Sequence, residues 1–169
     1  MGNFTSGDVE SGASTLTMQL VKNTYVQEAL EKPTEEERQA AYDEATDPNF
    51  DRKLKEMKIA IGLEKRYTKK EILVAYLNVA YFSDQTYGIE AAAQRYFGVS
   101  AANLTLAQSA SLIAIVQYPN QRGLDDPENF GENEVRRDFI LGQMLKEGFI
   151  TQEQYDEAYA IPVDEAFVA

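Results

Sequence analysis

The chain has 169 residues and a formal net charge of −12, and it contains neither cysteine nor histidine. That length suits one domain with a real core, and the acidic balance argues against nucleic acid as a partner, because phosphate backbones need a basic field. Without Cys or His there is no thiol nucleophile, disulfide, Ser-His-Asp triad or ordinary zinc site, so any catalysis falls to carboxylates, Lys, Arg, Tyr and hydroxyls.

Residues 1–13 are rich in Gly, Ser, Thr and Asp and read as a flexible lead-in, with no apolar core of a secretory signal. No stretch approaches the 18 or so apolar residues that a membrane span requires. Ser14 or Thr15 is expected to cap a helix running to about Leu30, with Leu16, Leu20, Val21 and Tyr25 largely on one side. Gln19 and Lys22 lie one helical step apart and share a face. Pro33 precedes a second helix: Thr34 and Glu37 form a capping box, and acids fill its first turn. Residues 35–45 are highly charged and read as solvated, and Tyr25–Asn49 reads as an insertion without chemistry.

Asp51 is expected to cap a third helix that runs to about Tyr67 and is apolar on much of its circumference after the first turn. Such a helix should sit deep, with its charged N-terminal end at a cleft. That end holds Arg52, Lys53, Lys55 and Glu56. Arg52 and Glu56 are four apart and share a face. A carboxylate among cations suits an anionic substrate, the cations holding phosphate oxygens while the carboxylate handles a proton or a metal. A solvated ion-pair ladder fits the same spacing.

Thr68 and Glu71 make another capping box before a helix through about Asn78, with Ile72, Leu73, Tyr76 and Leu77 as its core face. Val79–Thr86 reads as a loop with two exposed aromatics, and Tyr87-Gly88 as a turn. Ile89–Phe97 reads as an Ala-rich helix stopped by Gly98. Thr105 and Gln108 box the start of an apolar helix that ends at Tyr118-Pro119-Asn120, and Gly123–Gly131 reads as a loop. A helix is then expected from Asn133 or Glu134 to Lys146, with Ile140, Leu141, Met144 and Leu145 apolar, followed by a last helix from Thr151 to about Ala160 that Pro162 stops. No alternating β pattern appears, so the fold class is all-α, organised as a lead-in over 1–13, a helical domain over 14–162 and a tail over 163–169.

Three blocks together are more specific than any one: Gly12-Ala-Ser-Thr-Leu-Thr-Met-Gln-Leu-Val-Lys-Asn23, Arg52-Lys-Leu-Lys-Glu56 and Ile72-Leu-Val-Ala-Tyr-Leu-Asn78. In that order they resemble the motifs of the family 51 peptidoglycan glycosyltransferases, the polymerase domain of bifunctional penicillin-binding proteins. Tyr87-Gly-Ile-Glu-Ala-Ala-Ala-Gln-Arg-Tyr-Phe-Gly98 and Leu104-Thr-Leu-Ala-Gln-Ser-Ala-Ser-Leu112 extend the resemblance over nearly the whole chain, with wording closest to the actinobacterial members.

The resemblance implies a single lysozyme-like helical domain with a smaller, membrane-facing jaw. It implies polymerisation of lipid II into a growing glycan strand with loss of lipid diphosphate, at the extracytoplasmic face of the cell membrane, in a longer protein that also carries a transpeptidase domain. Carried over by motif, Glu56 is the second of the family's two glutamates, acting on the diphosphate side directly or through a divalent cation. Arg52, Lys53, Gln19 and Lys22 contact the donor, Ser14 and Thr15 shape the turn beside it, and Asn78 braces a helix end.

Departures accompany the match. Met18 stands where the family has Gln, and Val74 and Gln108 stand where it has Glu. The family's first glutamate, in an upstream Glu-Asp-x-x-Phe block, has no counterpart before Gly12; Asp8 and Glu10 lie too close to Ser14. The chain therefore reads as an N-terminally truncated domain with impaired turnover. A lipid-diphosphate or glycan-binding fragment without turnover, or an acidic helical module acting through protein contacts, are the alternatives.

Overall fold

Local capping chemistry sets most of the helix starts. In the computed structural model, which describes residues 14–166, helix α1 spans Leu16–Leu30 and begins where the Thr15 hydroxyl accepts the Met18 amide. Helix α2 spans Glu35–Thr46 behind the expected Thr34–Glu37 capping box. Helix α3 spans Phe50–Glu64, and α4 spans Lys69–Val79 with Thr68 and Glu71 exchanging hydrogen bonds at its start. Helix α5 covers Ile89–Phe97 and ends on Gly98, whose φ of 65° is the left-handed conformation that glycine adopts without strain. Helix α6 covers Leu106–Gln117, α7 Pro119–Arg122, α8 Phe130–Lys146, α9 Gln152–Tyr159 and α10 Val163–Ala166. Capping boxes open α6 and α9 at Thr105–Gln108 and Thr151–Gln154. Short 3₁₀ turns occupy Ala101–Asn103 and Pro127–Asn129. Among the described residues no strand forms, beyond one isolated antiparallel bridge between Tyr81 and Tyr87. The all-α expectation holds. The lead-in over 1–13 and the last residues of the tail, 167–169, lie outside the described residues.

Some expectations about burial and boundaries are corrected. Asn49 caps α3, its side-chain oxygen accepting the Arg52 amide at 2.7 Å; Asp51 instead lies in the first turn. Helix α3 is not deep: Leu54, Met57, Ile59 and Ile61 are exposed, and the buried positions are Glu56 and Ala60. On α4, Ile72 and Tyr76 are buried, but Leu73 is exposed. On α1 the buried set is Thr17, Met18, Leu20, Val21 and Ala29, while Leu16 and Tyr25 stay exposed. Helix α8 starts earlier than expected, because Pro127 opens a 3₁₀ turn that runs straight into it, and Gly131 becomes a helical residue.

The chain divides into two compact units, one ending at Tyr76 and one beginning at Leu77. In the first, α1 packs against both α2 and α3. In the second, α6 packs against α8 and α9 around Ala107, Ala110, Leu141 and Ala158. Burying a side chain such as Leu141 contributes about 1.5–3 kcal/mol. A polar layer adds to this core. Asn133, fully buried, donates to the carbonyls of Ser111 and Arg122, and buried Arg137 donates to Asp138, Glu134 and the carbonyl of Ile161. The Asn133 amide satisfies backbone carbonyls, and the more exposed Glu134 and Asp138 carboxylates compensate the buried guanidinium.

The loop after α4 departs furthest from its sequence reading. Phe82 is fully buried, and Tyr81 packs at a tilt against Tyr87 with ring centroids 4.9 Å apart, so the pair of exposed aromatics is absent. The turn between them holds Ser83, Asp84 and Gln85 all at positive φ, 72°, 41° and 56°. Hydrogen bonds from Phe82 to Thr86, from Thr86 to Ser83 and from Gly88 to Ala80 enforce it. The Tyr96 hydroxyl braces it from below, donating to the Phe82 carbonyl at 2.7 Å. Burial, and next the Asp125 charge, push that phenol up to about 12, so it stays a donor at neutral pH. Gly88 is required where it stands: a Cβ would come within 2.8 Å of the Asn78 carbonyl oxygen.

Left-handed backbone costs a non-glycine residue about 1–2 kcal/mol, and glycine carries roughly 0.5–1 kcal/mol of extra chain entropy. Gln85→Gly, at an exposed position, should therefore stabilise the protein by about 0.5–1 kcal/mol and raise the melting midpoint by roughly 1–4 °C. An unchanged or lower midpoint in a thermal melt would count against strain at Gln85.

Candidate active site

The first unit holds Ser14, Thr15, Gln19, Lys22, Arg52, Lys53 and Glu56, while Asn78 falls in the second. Asn49 caps α3, and on that helix Arg52 and Lys53 lie four and three residues before Glu56, so both cations reach forward to the same carboxylate. Glu56 is 1% exposed. Its Oε1 accepts Arg52 Nη1, and Lys53 Nζ lies 3.3 Å from Oε2. Lys53 is not aligned to hydrogen-bond there, and Oε2 is a buried oxygen without a hydrogen-bond partner. Lys53 instead donates to the Ser14 hydroxyl at 2.5 Å, which ties the turn before α1 to the start of α3.

Lys22 reaches the same group from α1 and is half-buried. Desolvation lowers its pKa below the ordinary value, Arg52 and Lys53 push in the same direction, and Glu56 opposes them. Two cations thus pair with one buried carboxylate and a third lies within electrostatic reach of it, a local excess of two positive charges in a chain of net charge −12. Gln19 projects from the same helix, and its Oε1 accepts the Tyr76 hydroxyl at 3.3 Å. Thr15 serves as the α1 cap. Asn78, in the other unit, has an exposed side chain, and its backbone carbonyl is the group against which Gly88 packs.

Residues that the motifs do not assign to the site hold this arrangement. Thr17, buried on α1, donates to Glu64 at 2.6 Å and links α1 to the far end of α3. Tyr76 fixes Gln19 from α4. Arg52 Nε donates to the Asp47 carbonyl, and Asn49 Nδ2 donates to the Asp47 carboxylate at 2.8 Å. The Ser-Thr-Leu-Thr block could have drawn attention to Thr17. Tyr76 already stands in the third block as a core residue, but nothing local marks its bond to Gln19, nor the bonds that Glu64 and Asp47 make to Thr17 and Arg52. Of the motif departures, Met18 is buried, Val74 is exposed, and Gln108 completes the α6 capping box.

The arrangement suits a polyanion. Three cations can accept a diphosphate, and the buried carboxylate orients two of them. A resident divalent metal does not fit. Among the described residues no group of three or more acids, His or Cys is placed to hold one, and the free oxygen of Glu56 faces cations that oppose a second positive centre.

A family model described as Transglycosylase matches residues 1–145. Penicillin-binding protein 1A of Streptococcus oralis is 36% identical over 162 residues, which are 95% of this chain and 23% of that protein. Penicillin-binding protein 1A of Pseudomonas aeruginosa is 34% identical over 96% of this chain and 17% of its own length. Penicillin-binding protein 2a of Streptococcus pneumoniae is 37% identical over 148 residues, 87% of this chain and 17% of that protein. A crystal structure of penicillin-binding protein 1A from Haemophilus influenzae aligns with a TM-score of 0.49 at 30% identity, over 57% of this chain and 14% of that one. The chain therefore spans about a fifth of the length of the curated relatives it matches. With the Ser-Thr, Arg-Lys-x-x-Glu and Tyr-Leu-Asn blocks in family order and the cations of the first two converging on one buried carboxylate, the chain belongs to the transglycosylase family.

Proposed function

We propose that the chain is the donor-binding part of a peptidoglycan glycosyltransferase that extends glycan strands from lipid II. The observation that carries this reading is the convergence of Lys22, Arg52 and Lys53 on buried Glu56. When the acceptor hydroxyl attacks the anomeric carbon, the bond to the lipid diphosphate breaks and negative charge grows on the leaving oxygen. Preset cations stabilise that charge without reorganising, and most strongly where water is scarce. Glu56 positions the cations, and Gln19 and Ser14 border them with polar groups. Proton removal from the acceptor falls to another base, since Glu56 is already engaged by Arg52 and Lys53.

Exposed Leu54, Met57, Ile61, Leu73 and Val74 on α3 and α4 support a membrane surface as partner, where a lipid-linked donor resides. In this reading the chain works at the extracytoplasmic face, within a longer protein that also carries a transpeptidase domain. A second reading, donor binding without turnover, is favoured by the single carboxylate among the three cations.

Binding of labelled lipid II in detergent tests the site. Lys22→Ala should weaken it by about ten- to a hundredfold, the worth of a charge-assisted contact. Equal binding by parent and variant would remove Lys22 from the donor site.

Titration gives a second check. Because the pKa of Lys22 is lowered, its charge disappears as pH rises through a value below that of an ordinary lysine. Donor binding should fall through that alkaline window, and Lys22→Met should abolish the fall. Stability moves the other way. Below the lowered pKa the fold holds a charged, desolvated lysine at a cost, which is relieved as pH rises toward the unfolded value. A binding curve that stays flat until the ordinary lysine range contradicts the assignment.

Assayed as these 169 residues, strand extension should be slower than in a domain that includes the upstream Glu-Asp block by about 10²–10⁴, the usual worth of a general base. Comparable extension rates would sink the idea that the base lies outside this set of residues.

A further inference from the structure

Arg52 borders a cavity of about 370 Å³ formed by α1, α2 and the start of α3, lined also by Tyr25, Asn49 and Lys55. A long guanidinium side chain beside open space has many rotamers available, and each orientation away from Glu56 would remove a cation from the donor cluster. Something must select the one orientation in which Nη1 meets Glu56 Oε1.

The selection is made by the segment between α2 and α3. The Asp47 amide donates to the Asp43 carbonyl at 2.8 Å, which fixes Asp47 as the last residue tied to α2. Its carbonyl then accepts Arg52 Nε, and its carboxylate accepts Asn49 Nδ2 at 2.8 Å. Asn49 Oδ1 accepts the backbone amide of Arg52 at 2.7 Å. Asn49 thus grips Arg52 through the main chain and, through Asp47, its side chain. The guanidinium is held at Nε by one end of this relay and at Nη1 by Glu56.

Resting on the donor-site reading above, we infer that Asn49 and Asp47 are positioning residues for the transfer reaction, and that α2 belongs to the donor site as the support that aims Arg52. The segment that the sequence alone treats as an insertion without chemistry thereby acquires a role. Asn49 contributes two separable interactions. Asn49→Ser keeps a hydroxyl acceptor for the α3 cap and loses the amide donor to Asp47. Asn49→Ala loses both.

The experiment is a double-mutant cycle on lipid II binding in detergent, using Asn49→Ser, Arg52→Ala and the pair. Asn49→Ser should weaken binding about three- to tenfold in the parent and by less than about twofold once Arg52 is alanine, the coupling expected of residues in one hydrogen-bonded network. Equal losses in both backgrounds, or no loss in the parent, overturn the relay while leaving the donor site standing. If Arg52→Ala itself changes nothing, the donor-site reading falls and the relay falls with it. A second readout needs no ligand. Hydrogen exchange at Arg52 Nε, followed by nuclear magnetic resonance, should be at least about threefold faster in Asn49→Ser than in the parent, because the Asp47 acceptor is released. An unchanged exchange rate, with α3 helicity intact by circular dichroism, overturns the proposal even for a protein that binds no lipid II.

Discussion

A carboxylate taken out of water is tolerable only beside cations, and the first unit is arranged around that constraint. Glu56 is buried near the start of α3, so Arg52 and Lys53 on the same helix must turn to it. An uncompensated buried charge is among the largest single costs a fold can carry. The rest of the unit follows from meeting it: Asn49 starts the helix that carries both cations, Ser14 anchors Lys53, and Asp47 anchors Arg52. Removing the acid would release the cations and erase the reason for the surrounding hydrogen bonds.

The same constraint leaves a surplus of positive charge. One carboxylate orders the group, but three cations remain, and the surplus charge is available to an anion. Burial is the main reason the pKa of Lys22 is lowered, and the neighbouring Arg52 and Lys53 charges push the same way against the opposing pull of Glu56. A bound diphosphate would raise that pKa again. In the proposed donor-site reading, that surplus is what a leaving diphosphate would meet.

The second unit solves a different problem. Its core combines small and aliphatic side chains with buried Phe82, Tyr96 and Phe97, yet Asn133 and Arg137 run through it, satisfying carbonyls of loops and helix ends. The strained turn at Ser83–Gln85 is held in place by surroundings that leave it no alternative: the bridge between Tyr81 and Tyr87, buried Phe82, and the Tyr96 hydroxyl beneath. Backbone strain of this kind persists where several independent contacts define the same conformation.

The sequence by itself determined most of the helix starts, the all-α class and the family, though not the starts of α3 and α8. Capping boxes at Thr34, Thr68, Thr105 and Thr151 need only residues three apart, so their signal is complete within one turn of chain. The motif blocks likewise announced Lys22, Arg52, Lys53 and Glu56 by order and spacing. Tertiary structure alone decided which faces are buried. Leu54, Met57 and Ile61 look like core residues and stand exposed, whereas Glu56 and Phe82 read as exposed or cleft-edge positions and are shut away. It also decided that Asp47 and Asn49 hold Arg52, and that Thr17 meets Glu64 across 47 residues. Apolar periodicity reports which side chains a helix places together; which of its faces meets another helix depends on elements elsewhere in the chain, and no local pattern encodes that choice.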